Sequence, residues 1–130
     1  MVEKGKMNKV ILFTIIILSI LLTNLVCITQ SVNAATSVTL TTLGYTETTI
    51  SLSWTRSNDL LFSRYELYYS SVGVNGPFSL CLSSTDPAKT SASIVGLTPN
   101  KPYWFYIKSY DSFSNSISNY LEVYTAPNLA

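Results

Sequence analysis

The 130-residue chain has no histidine, two cysteines and only 12% charged residues. Without histidine it lacks the usual general base, the Ser–His and Cys–His nucleophile pairs and most zinc sites. The acids beyond the leader, Glu47, Asp59, Glu66, Asp86, Asp111 and Glu122, are scattered over different strands and loops. That spacing gives no paired carboxylates for glycoside hydrolysis. There is no Gly-rich phosphate loop and no helix-flanked calcium loop. Asp111 with Asn115 could help hold a cation, but capping their own loop is the commoner use of such residues. The many serines sit in alternating strands and loops, where solvated strand faces explain them better than nucleophiles do. The expectation is therefore a non-enzymatic chain with no catalytic residue, cofactor or metal. Eight basic and seven acidic residues leave a net charge of +1 with no charge run, so binding of nucleic acid or an anionic membrane surface has no support. Neither an Arg-Gly-Asp triplet nor an Asn-x-Ser/Thr sequon occurs.

What the chain does have begins with its leader. Lys4, Lys6 and Lys9 precede an apolar run from Val10 to Leu22 that continues, diluted, to Ile28. Val32 and Ala34 supply small residues at the two positions a signal peptidase inspects, which places cleavage between Ala34 and Ala35. The run is also about as long as a membrane-spanning helix, roughly 20 residues, so an uncleaved anchor is the second reading. Both put the rest of the chain outside the cell, because the lysines stay on the cytoplasmic side. Residues 1–34 are thus a signal peptide or anchor, 35–127 a domain, and 128–130 a tail or the start of a linker. Localisation is expected to be secreted or cell-surface, with membrane contact only through an uncleaved leader.

Past Ala35 the apolar residues alternate, and none repeat at helical spacing. Val38 and Leu40 mark a first strand, and Ile50, Leu52 and Trp54 a second after a polar turn at 44–48. Tyr65, Leu67 and Tyr69 mark a third. Gly73, Asn75, Gly76 and Pro77 make a loop before Phe78, Leu80 and Leu82. Ala92 and Ile94 lead into a Leu97–Pro102 corner, Tyr103, Phe105, Ile107 and Ser109 share one face of a long strand, and Leu121 and Val123 close the series. Seven short strands with turn signals every eight to twelve residues predict an all-β, two-sheet, immunoglobulin-like sandwich. Trp54 is expected to fill the core, worth about 2–3 kcal/mol by burial. Tyr103 is expected to bury its ring and bond its hydroxyl to backbone near Leu97, while Pro99 and Asn100 set the turn.

Trp54, the Tyr65-x-Leu67-x-Tyr69 strand, Leu97-x-Pro99 and Tyr103-x-Phe105-x-Ile107 resemble the fibronectin type III domain in order and spacing. The likeness spans roughly 36–127. It is nearest to the version common in secreted prokaryotic proteins, where a segment similar to Tyr110-Asp111-Ser112-Phe113-Ser114-Asn115-Ser116-Ile117-Ser118 follows the sixth strand. In that version a glycine precedes the asparagine, and here Ser114 stands in its place. The resemblance implies a non-catalytic module stabilised by packing, with the third, sixth and last strands adjacent.

If Tyr103, Phe105 and Ile107 face inward, period two turns Trp104, Tyr106 and Lys108 outward. The neighbours then add Arg64, Glu66 and Tyr68 on one side and Tyr120, Glu122 and Tyr124 on the other. Such a face could bind an extracellular protein or polysaccharide, and the competing reading is cross-strand packing. Protein binding leads. Association with carbohydrate, directly or as the accessory domain of a polysaccharide-acting protein, is the alternative, and a plain spacer is the third reading. Leu60, Leu61 and Phe113 are apolar loop residues at one end of the resembled fold and form a second candidate surface, with Phe62 covering the core. Cys27 leaves with the leader, and Cys81 remains alone. Alternation points its thiol away from Leu80 and Leu82, toward solvent on an edge strand, where a Cys81-linked homodimer is conceivable; the competing reading is a small half-buried residue with no role.

Overall fold

The computed structural model of the protein describes residues 4–25 and 34–129. Cys27 and Val32, on which parts of the leader reading rest, lie outside the described residues. The chain divides into two compact units, Met1–Asn33 and Ala34–Ala130. In the first, α1 spans Lys4–Leu25, about 33 Å at helical rise. Its side chains from Val10 to Leu18 are largely exposed, and Thr14 Oγ1 donates to the Val10 carbonyl at 2.8 Å. Among the described residues no helix is long and apolar enough to cross a membrane.

The second unit consists of β1 (Leu40–Tyr45), β2 (Thr49–Trp54), β3 (Phe62–Ser70), β4 (Ser79–Ser84), β5 (Ser91–Val95), β6 (Pro102–Asp111), β7 (Asn115–Ile117) and β8 (Leu121–Tyr124). One sheet has the order β1-β2-β5. The other has β4-β3-β6, with β7 and β8 both paired to β6. Every pairing is antiparallel, so this is the expected two-sheet sandwich with its two apolar faces packed together.

The alternation read from the sequence is what builds the core. Ile50, Leu52 and Trp54 of β2 face Tyr65 and Leu67 of β3 and Tyr103, Phe105 and Ile107 of β6, with Val38, Leu40, Leu97 and Val123 completing the cluster. Each large apolar side chain buried there contributes about 1.5–3 kcal/mol. Trp54 and Tyr65 meet edge to face at 5.8 Å. The Tyr65 hydroxyl accepts from the Ser57 N–H at 2.7 Å and donates to the Pro87 carbonyl at 3.3 Å, tying the β2–β3 and β4–β5 loops to the core.

The corner before β6 is built by Gly96 and Asn100, whose φ values of 76° and 55° lie in the left-handed region, which Gly and Asn tolerate best. The Tyr103 hydroxyl accepts from the Thr98 N–H at 2.9 Å. Buried Thr125, just after β8, donates its hydroxyl to the Thr98 carbonyl at 2.7 Å and accepts from the Lys101 N–H at 3.0 Å. The corner is thus held from both sides.

Two features depart from simple alternation. The seventh strand is broken into β7 and β8, so eight strands form among the described residues where seven were expected. At the break the Ile107 N–H bonds the Ser118 side-chain Oγ at 3.0 Å. Asn119 then turns toward the other sheet. Its Oδ1 accepts from the Leu40 N–H at 2.8 Å and its Nδ2 donates to the Leu40 carbonyl at 3.0 Å, so a side-chain amide pairs with β1 as a peptide group would. The second departure is in β4. Tyr68 pairs with Leu80 and Leu67 with Leu82, which leaves Cys81 as the extra residue of a bulge. The phase therefore shifts. Leu80 is 52% exposed, and Phe78, expected inward, packs on outward rings instead. Cys81 turns toward the core with Leu82, and its Sγ donates to the Leu67 carbonyl at 3.2 Å. The solvent-facing Cys81 read from alternation is corrected by this bulge.

Candidate functional site

The outer face of the β4-β3-β6 sheet carries most of the side chains the sequence placed there. Register sets Arg64 opposite Tyr110, Glu66 opposite Lys108 and Tyr68 opposite Tyr106, and Trp104 opposite Glu122. Residues directly opposite on one face lie within reach of each other, and the Tyr68–Tyr106 and Arg64–Tyr110 rows become ring contacts. Tyr68 and Tyr106 stack at 5.0 Å with planes 15° apart. Phe78 lies at 4.8 Å and Tyr120 at 5.3 Å from the Tyr106 ring, tilted by 63° and 58°, and Phe78 also meets Tyr120. The result is a four-ring cluster across β3, β6, the approach to β4 and the β7–β8 break. Trp104 is half-buried and Tyr124 is exposed, and neither ring joins this cluster among the described contacts.

A charged row runs beside the rings. Arg64 Nε donates to Glu66 Oε1 at 2.7 Å while its guanidinium lies 3.7 Å from the Tyr110 ring centroid. Lys108 reaches over Tyr68 at 5.6 Å. Tyr68 donates its hydroxyl to Glu66 Oε2 at 2.7 Å. Burial works against the Glu66 charge, but the bonds from Arg64 and Tyr68 outweigh it and hold this carboxyl below its ordinary value. Accepting Glu66 and partial burial together push the Tyr68 phenol well up, and burial raises Tyr106 and Tyr110 as well. All three phenols are neutral donors at physiological pH. The row is thus a fixed carboxylate with two cations seated on rings, next to an apolar cluster. It has the means to bind by contact and hydrogen bonding, and it presents no activated nucleophile.

Leu60, Leu61 and Phe113 are a separate group. The β2–β3 and β6–β7 loops do come together, with Ser112 Oγ donating to the Leu61 carbonyl at 3.4 Å and Phe62 pairing with Asp111. Leu60, Leu61 and Phe113 are all exposed at that end, and Phe62 folds back on Tyr65 at 4.5 Å. Asp111 is occupied by its own loop. Its carboxylate accepts from the Phe113 and Ser114 N–H groups at 2.7 and 2.6 Å and from Ser114 Oγ at 3.0 Å, and these bonds lower its pKa. Ser114 has no left-handed φ, so the loop closes without the glycine of the resembled version. Among the described residues no cluster of His, Cys, Asp and Glu could hold a metal.

Trp54, Leu97 and Tyr103 are buried, and Pro99 is half-buried in the corner. Cys81 is half-buried, and burial pushes its thiol up to about 11. So little thiolate at neutral pH, on a sulfur turned inward, works against a Cys81-linked dimer. Sequence reasoning missed Phe78 and Tyr110. Tyr110 was legible, because the outward series 104, 106, 108 simply continues to it. Phe78 was not, because only the bulge at Cys81 reverses its side.

The fibronectin type III domain family profile matches residues 30–123. Among solved structures, the solution structure of the fibronectin type III domain of human fibronectin type III domain containing protein 3 is similar at 18% identity and a TM-score of 0.60, covering 77% of this chain and 94% of that one. The sixth such domain from the human protein of that name is similar at 15% identity and a TM-score of 0.65, covering 78% and 94%. No curated protein matches the chain.

Proposed function

The chain belongs to the fibronectin type III family, whose domains are commonly non-catalytic interaction or spacer modules, and from that premise we propose that it is an exported module that binds a protein through the outer face of the β4-β3-β6 sheet. The observation that carries this reading is the tilt of the rings. A sugar chain stacks best on rings lying in one plane, whereas Phe78 and Tyr120 stand about 60° to Tyr106. Such a corrugated apolar patch, edged by Arg64, Glu66 and Lys108, suits the side chains of a protein surface, where rigid aromatics supply contact area and charges supply specificity. Direct carbohydrate association stays as the alternative, centred on Trp104 and Tyr124 outside the cluster. Export is supported by Lys4, Lys6 and Lys9 in the first turns of α1, ahead of its apolar run, and by a compact unit that starts at Ala34, as in the secreted prokaryotic-type version.

The test is cross-linking of the domain to the surface and secreted proteins of the producing cells, beside pelleting with insoluble polysaccharides. Protein capture lost in Tyr120→Ser and Trp104→Ala, with no pelleting, is the expected result. Pelleting that disappears in Trp104→Ala would replace protein with carbohydrate, and association unchanged in both variants would reduce the domain to a spacer.

A further inference from the structure

The start of the domain passes from exposed to buried across one peptide bond: Ala34 is exposed and Ala35 buried. The Ala35 N–H donates to Ser114 Oγ at 2.8 Å, and that hydroxyl donates to Asp111 Oδ2 at 3.0 Å. One residue on, the Thr36 N–H and Oγ1 donate to the two Asp59 oxygens at 2.7 and 2.6 Å, and Ser57 Oγ donates to Asp59 at 3.1 Å. Asp59 comes from the β2–β3 loop and Asp111 from the end of β6, close enough that the Asp111 charge acts on Asp59. Arg56 lines the depression beside Asp59. Two carboxylates therefore converge on a stretch of backbone that offers only neutral donors while the chain is continuous. Like charges held together favour a cation between them.

We propose that Ser114, Asp111 and Asp59 form a seat for the α-ammonium group of Ala35, created when the leader is cut between Ala34 and Ala35. This rests on reading the leader as a cleaved signal. The peptide N–H of Ala35 is one donor with no charge; the ammonium is three donors with a full charge. Ser114 Oγ accepts the first of its hydrogen bonds, and Asp111 and Asp59 supply the countercharge. Cleavage then fastens the segment leading into Val38 and Leu40 where an ordinary new terminus would fray. Because Ala35 and Thr36 are docked in the folded domain, the scissile bond is reachable only before this end folds.

The test uses a chain made to begin at Ala35 by a preceding Met that is removed in the producing cell; it retains all eight strands and the whole core cluster. The rate of α-amine acylation at pH 7 is followed by mass spectrometry, with Lys89, Lys101 and Lys108 as internal references. It is expected to be about 10-fold slower than in the Asp59→Asn/Asp111→Asn double variant, since each pKa unit changes the free-amine fraction about tenfold. Should that variant fail to fold, the unmodified sequence with a free or an acetylated Ala35 amine decides the matter. A folded pKa above the unfolded value of about 8 stabilises below that value, and the gain is lost as pH rises through the folded pKa. The free-amine chain should therefore melt several degrees above the acetylated one at pH 6.5 and match it once its amine is deprotonated. Equal acylation rates, or equal melting at pH 6.5, would overturn the seat. The start of the native exported chain tests the leader reading separately: Ala35 supports it, and another start removes the occasion for the seat whatever the amine measurements give.

Discussion

Replacing Asn119 with Ala removes a side-chain amide that pairs with the backbone of Leu40 across the two sheets. Leu40 is 1% exposed, and its N–H and carbonyl both depend on Asn119, at 2.8 and 3.0 Å. An unpaired buried backbone group costs about 1–3 kcal/mol. Asn119 itself is exposed, so water recovers part of that loss, and the expected destabilisation is about 2–4 kcal/mol. For a domain of this size that lowers the melting temperature by at least about 10 °C. Urea unfolding followed by tryptophan fluorescence reads it directly, with a lower midpoint and an unchanged slope. Asn119→Asp sharpens the test. Its carboxylate still accepts from the Leu40 N–H but faces the Leu40 carbonyl with no proton to give. Relative to the unsubstituted chain at the same pH, it should regain stability as pH falls through its carboxyl pKa, because the protonated acid can donate again. An Asn119→Ala chain within about 0.5 kcal/mol of the original, a typical surface effect, would refute the bridge.

Three further outcomes follow from the same geometry. Tyr103→Phe keeps the ring but strands the Thr98 N–H, at a cost of about 1–2 kcal/mol in the same unfolding assay; no measurable loss would mean the corner holds itself. Cys81, with its thiol pushed up to about 11 by burial, should label slowly with a disulfide reagent at pH 7.4 and leave the chain monomeric on non-reducing gels. That raised pKa also predicts stability falling from about pH 8.5, the unfolded value, and Cys81→Ser should remove the part of this decline that lies below about pH 10, where the raised phenols do not yet contribute. The Asp59, Glu66 and Asp111 carboxyls all lie below their ordinary values, so their contribution is complete above about pH 4 and lost as pH falls through the folded values. Asp59→Asn/Asp111→Asn should flatten this acid limb in urea titrations between pH 2 and 6, and an unaltered limb would assign it elsewhere.

Much of the fold was written in short stretches of sequence. Ile50, Leu52 and Trp54, or Tyr103, Phe105 and Ile107, share a face because successive strand side chains alternate whatever the strand pairs with. The same rule turned Trp104, Tyr106 and Tyr68 outward, and the Leu97–Pro102 corner was legible because glycine, proline and asparagine constrain backbone locally. The candidate face was therefore half visible. Its rings could be named, but Phe78 was assigned to the wrong side, and nothing local showed that Tyr106 would carry three ring neighbours.

By itself, then, the sequence determined most of the strands, the inward residues of all but β4, the corner and the family, all properties that residues a few positions apart can set. Only the tertiary structure decided where register slips and what lies opposite. The bulge that turns Cys81 inward exists because β4 must pair with β3. The Asn119–Leu40 and Ala35–Ser114 bonds join residues 79 positions apart. Such contacts depend on how strands from distant parts of the chain are brought side by side, and alternation along a single strand carries no record of its neighbour.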